Sequence, residues 1–228
     1  QREISARFKA ALKTLKTSSV YRGRSERWRD DLPWYLLIGP EGSGKTSLLD
    51  FSGVEFPINA IDRKMTRDTK GTQHCDWYFA EQGVLIDTAG RYLTQEDSEV
   101  DGGAWSALLE LLRKRRHNRP LNGVLVTIPV ESLLNSGEKH LQGLAADVRA
   151  RLQEVHQKLH VDVPVYLVLS KADRLLGFDE FFDHLSGEES EQVLGATFRK
   201  EQVGSDTTVV RSEFEDLLQR LNSQVITR

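Results

Sequence analysis

Apolar residues along the chain follow two rhythms. Four continuous runs, Trp34–Ile38, Val84–Ile86, Val124–Ile128 and Val165–Leu169, have the length and unbroken character of strands buried on both faces of a parallel sheet. Between them, apolar residues recur at helical spacing: Trp105, Leu108, Leu109 and Leu112, then Leu141, Leu144, Val148, Leu152, Val155 and Leu159. Strands alternating with amphipathic helices predict an α/β fold, a mostly parallel sheet flanked by helices. One connection departs from this. Only Glu81-Gln82-Gly83 separates Cys75–Ala80 from Val84–Ile86, too few residues for a crossover helix. The two runs are therefore expected to pair as an antiparallel hairpin, with Gly83 in the turn.

The ends carry their own patterns. Ile4, Phe8, Ala11, Leu12 and Leu15 predict an amphipathic helix over residues 3–17, with Lys9, Lys13 and Lys16 on its wet side. A charged stretch up to Asp31 reads as a linker, which divides the chain into an N-terminal helix and linker (1–31) and one domain (32–228). Ser212 and Glu215 have the spacing of a capping box ahead of Phe214, Leu217, Leu218, Leu221 and Val225, a closing helix.

Composition narrows the class without naming a chemistry. The chain has 228 residues, 39% apolar and 29% charged, with a net charge of −3, as in an ordinary globular protein. Such a balance gives no electrostatic footing for nucleic acid. The sole cysteine, Cys75, has no partner for an internal disulfide. No apolar run approaches the roughly 20 residues that cross a bilayer, and the charged start does not resemble a signal peptide. The expectation is a soluble intracellular domain, and a start at Gln1 reads as an excerpt from a longer chain.

The chemistry begins directly after the first strand. Gly39-Pro40-Glu41-Gly42-Ser43-Gly44-Lys45-Thr46 fits G-x-x-x-x-G-K-[ST], a P-loop, with a strand before it and Ser47-Leu48-Leu49 able to open a helix after it. Glycines let such a loop wrap a phosphate with backbone N–H groups, and the helix that follows turns its positive end to the same anion. Lys45 is placed to reach the β- and γ-phosphates of a nucleoside triphosphate, and the Thr46 hydroxyl to hold Mg²⁺.

A second element is Val84-Leu85-Ile86-Asp87-Thr88-Ala89-Gly90, where a strand delivers a carboxylate to the sheet edge at which α/β folds bind phosphates. Asp87 is expected to position Mg²⁺ through a water, and the Gly90 N–H to meet a γ-phosphate. Asp-x-x-Gly after an antiparallel hairpin points to a small-GTPase-like P-loop fold. Thr72, with Thr66 and Thr69 as competitors, is the candidate switch threonine over Mg²⁺. Ser170-Lys171-Ala172-Asp173 resembles the Asn/Thr-Lys-x-Asp guanine-reading motif, so Asp173 would accept from the base and the Lys171 stem would cover it. Ser170 departs from that pattern, which leaves GTP slightly ahead of ATP as the expected ligand. Val193–Thr197 is a candidate final strand with a loop that touches the base. Arg91 occupies the place of a water-orienting glutamine and cannot accept a hydrogen bond. Its two readings are a cation at the transition state and a partner for a surface carboxylate; either way, hydrolysis is expected to be slow.

The remaining features take plainer readings. Arg113-Lys114-Arg115-Arg116 suits the end of a helix as a solvated face, with a partner patch as the alternative. The six histidines show no metal-ligand spacing, and Trp34, Trp77 and Trp105 are read as core.

Several strings together resemble one family. Leu32-Pro33-Trp34-Tyr35-Leu36-Leu37-Ile38-Gly39-Pro40, Cys75-Asp76-Trp77-Tyr78-Phe79, Leu85-Ile86-Asp87-Thr88-Ala89-Gly90-Arg91-Tyr92, Pro120-Leu121-Asn122-Gly123-Val124 and the stretch from Leu169 to Phe182 are similar to the IcmF/TssM proteins of bacterial type VI secretion systems. The resemblance runs from about Leu32 to Phe198. It implies an NTPase domain on the cytoplasmic face of the inner membrane, joined to the membrane by segments outside this chain. It also implies a small inner-membrane subunit, an outer-membrane lipoprotein and baseplate proteins as partners. Two functional classes follow: a nucleotide-driven conformational switch, favoured by Lys45, Thr46 and Asp87, and a structural or interaction module, favoured by Arg91 and Ser170. A small-molecule P-loop kinase is disfavoured by the hairpin and Asp-x-x-Gly.

Overall fold

The computed structural model describes residues 6, 8, 9, 13, 32–56, 75–116, 118–190, 192–198 and 207–226. Thr66, Thr69 and Thr72 lie outside the described residues, as do Ile4, Ala11, Leu12, Leu15 and Lys16 of the N-terminal pattern. The chain divides into two compact units, Gln1–Arg174 and Leu175–Arg228, and the division falls inside the span read above as one domain.

The first unit is built on a mixed, mostly parallel sheet. Its strands are β1 (Trp34–Ile38), β2 (Cys75–Phe79), β3 (Val84–Thr88), β4 (Gly123–Pro129) and β5 (Val165–Ser170), in the order β2-β3-β1-β4-β5. β1 runs parallel to β3 and β4, β4 parallel to β5, and only β2 is antiparallel, on β3. The expected hairpin is present: Trp77 faces Ile86 across the ladder, and Ala80 N–H closes the turn on Gly83 O at 2.9 Å. Gly83 serves by its lack of bulk, since a Cβ there would lie 2.9 Å from Pro33 O, the acceptor for Val84 N–H.

Helices α1 (Lys45–Asp50), α2 (Arg91–Thr94), α3 (Val100–Arg115), α4 (Val130–Asn135) and α5 (Glu138–Leu159) connect the strands. Trp105, Leu108, Leu109 and Leu112 of α3 are all buried against the sheet with Val155 and Leu159 of α5, as their spacing predicts. Trp34, Trp77 and Trp105 belong to this core. Phe8, helical and fully buried, packs its ring edge-on to Trp77 at 4.9 Å and so belongs to the same core. Lys9 and Lys13 are exposed, as the helical pattern requires.

Two expectations are corrected in this unit. β5 is not buried on both faces: among the described residues it pairs only with β4, and Leu167 is 66% exposed. An apolar run specifies a strand but not what covers it. Arg116, read as part of a solvated basic run, is fully buried. It donates to Leu32 O at 2.8 Å and lies 4.8 Å over the Trp34 ring, so the guanidinium is a structural plug at the foot of β1. Arg113, Lys114 and Arg115 are exposed as expected.

The second unit contains α6 (Phe178–Phe182), α7 (Gly187–Ser190) and α8 (Thr208–Ile226). Ser186 and Glu189 form a capping box ahead of α7: Ser186 N–H donates to Glu189 Oε2 at 2.9 Å, and Glu189 N–H returns to Ser186 Oγ at 3.3 Å. The box expected at Ser212 is not a helix start, because α8 begins four residues earlier and Ser212 lies within it. Val193–Thr197 has no strand assignment, and Val193 is exposed; a strand needs a neighbour to complete its hydrogen bonds.

Candidate functional site

Strand order places the site. The chain leaves β1 for β2 and β3 on one side and leaves β3 for β4 on the other, so the connections diverge at the carboxyl ends of β1 and β3, where open α/β sheets form a crevice. The loop Gly39–Gly44 occupies that end and leads into α1. Its turn depends on Gly44, the residue that caps α1, which has φ 79° and ψ 18°, a left-handed conformation costly for residues with a side chain.

Lys45 curls back into this loop. Its Nζ donates to Gly39 O at 2.9 Å, to Pro40 O at 3.0 Å and to Ser43 Oγ at 3.4 Å, engaging all three ammonium donors. Burial pushes its pKa down, while the Asp87 and Glu41 carboxylates oppose that shift. The next residue faces β3: Thr46 Oγ1 donates to Asp87 Oδ2 at 2.6 Å. Asp87 is fully buried at the end of β3, and the hydroxyl of its neighbour Thr88 secures the strand to Leu37 O of β1 at 2.6 Å. A hydroxyl and a carboxylate oxygen side by side are hard donors of the kind Mg²⁺ takes, so these two residues fit that ion. Among the described residues, no three of His, Cys, Asp and Glu converge as a metal-binding group. A Mg²⁺ that draws further oxygens from phosphate and water needs none.

Gly90 lies against the Gly39–Gly44 loop. A Cβ there would sit 2.4 Å from Glu41 N and 2.5 Å from its Cα, so the Asp87–Gly90 segment and the loop touch backbone to backbone. Arg91 turns elsewhere, making an ion pair with the buried Asp101 of α3 at 3.2 Å. Of its two sequence readings, the carboxylate partner is the one this geometry displays. Ser47 is exposed on α1.

The stretch Ser170-Lys171-Ala172-Asp173 reaches the same crevice through β5. Ser170 Oγ donates to Ser43 O at 2.6 Å. Lys171 has φ 57° and pairs with Glu131 Oε2 at 3.5 Å, and Arg174 pairs with the other oxygen of Glu131. The hydrogen bond from Arg174 holds the Glu131 carboxyl below its usual range. Asp173 is exposed in the turn Ala172–Arg174. The structure thus gathers Gly39 to Thr46, Asp87 and Gly90 around one loop and attaches Ser170 to it. Sequence reasoning missed Glu131 and Asp101. Glu131 follows the end of β4 much as Asp87 ends β3, so a carboxylate just past a parallel strand was the available signal; Asp101 gave none.

The chain belongs to the IcmF-related family: the domain described as IcmF-related N-terminal domain matches residues 98–228, more than half of the chain. The chain is 42% identical over 231 aligned residues to the type VI secretion system component TssM1 of Pseudomonas aeruginosa, covering 99% of this chain and 21% of that protein. It therefore spans about a fifth of the length of that curated relative. Among solved structures, the signal recognition particle receptor SRb-GTP/SRX complex of Chaetomium thermophilum aligns with a TM-score of 0.42, 21% identity, 63% of this chain and 71% of that one. The small COPII coat GTPase SAR1 of Encephalitozoon cuniculi in complex with GDP aligns with a TM-score of 0.22, 12% identity, 75% of this chain and 79% of that one. Among the described residues, no helix is long and apolar enough to cross a membrane.

Proposed function

We propose that this chain is a small-GTPase-like P-loop domain that binds a Mg²⁺-nucleoside triphosphate, hydrolyses it slowly and acts as a conformational switch within a type VI secretion complex. The observation that carries this reading is the meeting of Thr46 and Asp87 at 2.6 Å beside a loop that already holds the Lys45 ammonium.

In this reading Lys45 exchanges its bonds to loop carbonyls for β- and γ-phosphate oxygens, and Gly90 N–H meets the γ-phosphate. Thr46 and Asp87 would hold Mg²⁺, with Thr72 joining them on sequence grounds alone. The ion, when bound, supplies charge neutralisation across the phosphates. No side chain at Arg91 can accept a proton from the attacking water, and Arg91 is committed to Asp101. Turnover below roughly 1 s⁻¹ follows, that being the low end of typical enzymes. Asp173 and Lys171 form the base side, with GTP slightly ahead of ATP.

In this reading the domain works on the cytoplasmic face of the bacterial inner membrane, with inner-membrane and baseplate subunits as partners and with membrane attachment through segments outside this chain. The switch is tested by amide hydrogen exchange over Asp87–Leu93. Slower exchange with a non-hydrolysable triphosphate than with diphosphate supports it, and equal exchange removes it. The second reading, an interaction module in which nucleotide is stabilising or dispensable, is favoured by the Arg91–Asp101 pair, which directs Arg91 to α3.

A further inference from the structure

We infer that the end of the sheet opposite Lys45 is a basic surface that rests on anionic phospholipid headgroups, an interaction that goes beyond the nucleotide reading and stands without it.

Topology sets this end. α3 and α5 each return the chain from the carboxyl end of one parallel strand to the amino end of another, so they finish at the amino ends of β4 and β5. α3 closes with Arg113, Lys114 and Arg115, and Arg119 follows in the connection to β4. From Leu111 to Val130 the chain carries five Lys and Arg residues and no carboxylate, although its net charge is −3.

The cluster is fixed from beneath. Arg116 is fully buried, donates to Leu32 O at 2.8 Å and lies 4.8 Å over the ring of Trp34, the first residue of β1. Around it Arg113, Lys114, Arg115 and Arg119 are all exposed. Phe8 meets the same Trp34 ring at 6.0 Å, which brings the exposed Lys9 to this end of the sheet. α5 adds Lys158 in its last turn, where the ammonium donates to Ser106 of α3.

The helix dipole accounts for cations in the last turn of α3 but not for Arg119 beyond it. Glu110 takes Lys114 at 2.7 Å, while no carboxylate among the described residues pairs with Arg113, Arg115 or Arg119. A protein partner would need an apolar anchor, because interface hot spots are large, desolvated side chains. Among the described residues from Asp101 to Ser132, no large apolar side chain is exposed. What this surface offers is charge on long guanidinium side chains, which take phosphate oxygens two at a time. A layer of anionic headgroups meets that chemistry, each cation near it strengthening binding roughly fivefold. In that placement the Lys45 loop points away from the bilayer.

The test is vesicle sedimentation of the full chain, without nucleotide, at about 50 mM salt, where surface charge is little screened. Wild type is expected to bind vesicles of about 30% phosphatidylglycerol in phosphatidylcholine, to leave them at about 0.5 M salt, and to ignore pure phosphatidylcholine. Arg113→Gln/Arg115→Gln/Arg119→Gln should weaken binding at least about tenfold, whereas Arg113→Lys/Arg115→Lys/Arg119→Lys retains it. Lys139→Gln/Arg149→Gln/Arg211→Gln removes the same charge elsewhere and should cost less than about threefold. Equal losses in the two glutamine variants would show diffuse attraction and overturn the inference. Equal binding to pure phosphatidylcholine, or no binding to either vesicle, overturns it too. Tighter binding to a short RNA duplex than to the anionic vesicles, lost in the Arg113/Arg115/Arg119 glutamine variant, would assign the surface to nucleic acid instead.

Discussion

The Thr46 hydroxyl donates to the Asp87 carboxylate across 2.6 Å, joining residues 41 positions apart, one in the first turn of α1 and the other near the end of β3. If this pair is a Mg²⁺ site, its removal should uncouple nucleotide from metal. Asp87→Ala is expected to lower triphosphate affinity at least about tenfold in Mg²⁺, or about 1.4 kcal/mol. In chelator the same substitution changes affinity by less than about threefold. Calorimetric titration under both conditions checks this, and an equal loss in both would assign Asp87 a structural role only.

Gly90 leaves no room for a side chain against Glu41. Gly90→Ala must displace loop backbone, at a cost of about 1–3 kcal/mol by analogy with overpacked cores. Urea unfolding should show that loss, with nucleotide affinity falling alongside because the same loop is the proposed phosphate site. Retained stability together with retained binding would show that the loop is free to move away.

Tyr92 is fully buried, and burial, with Cys75 nearby, pushes its hydroxyl from 10.0 up to about 12. The unfolded chain ionises first, so stability contributed by the neutral phenol is full below pH 10 and is lost as pH rises toward 12. The total is about 3 kcal/mol for a shift of that size. Lys45, whose pKa is lowered, acts with the opposite sign, since stability rises as the folded state releases its proton ahead of the unfolded chain. Comparison with Tyr92→Phe separates the two: the variant should lose the downward slope above pH 10 in denaturant titrations. An unchanged slope would assign the alkaline sensitivity to another group.

Much of the first unit was legible because its signals are local. The run Trp34–Ile38 followed by Gly39–Thr46 specifies a strand, a phosphate-type loop and a helix start in one stretch, and the three-residue gap before Val84 leaves only a hairpin. Asp87 was legible for the same reason, as a carboxylate at a strand end. Features that depend on distant partners were not. Arg116 looks like its exposed neighbours until Leu32 and Trp34 enclose it. Val165–Leu169 reads the same whether or not its faces are covered, and α8 starts ahead of the Ser212 pattern because that pattern is also compatible with a helix interior. The Ser170–Ser43 bond and the Glu131 clamp connect segments whose proximity only the folded sheet creates.

The measurement that tests the central claim most directly is displacement of a fluorescent nucleoside triphosphate in Mg²⁺, on wild type and on Lys45→Ala. Saturable binding by wild type, weakened at least about a hundredfold in the variant, or about 2.7 kcal/mol, is the result this account predicts. No binding by wild type, or equal binding by both proteins, would contradict it and leave the domain an interaction module.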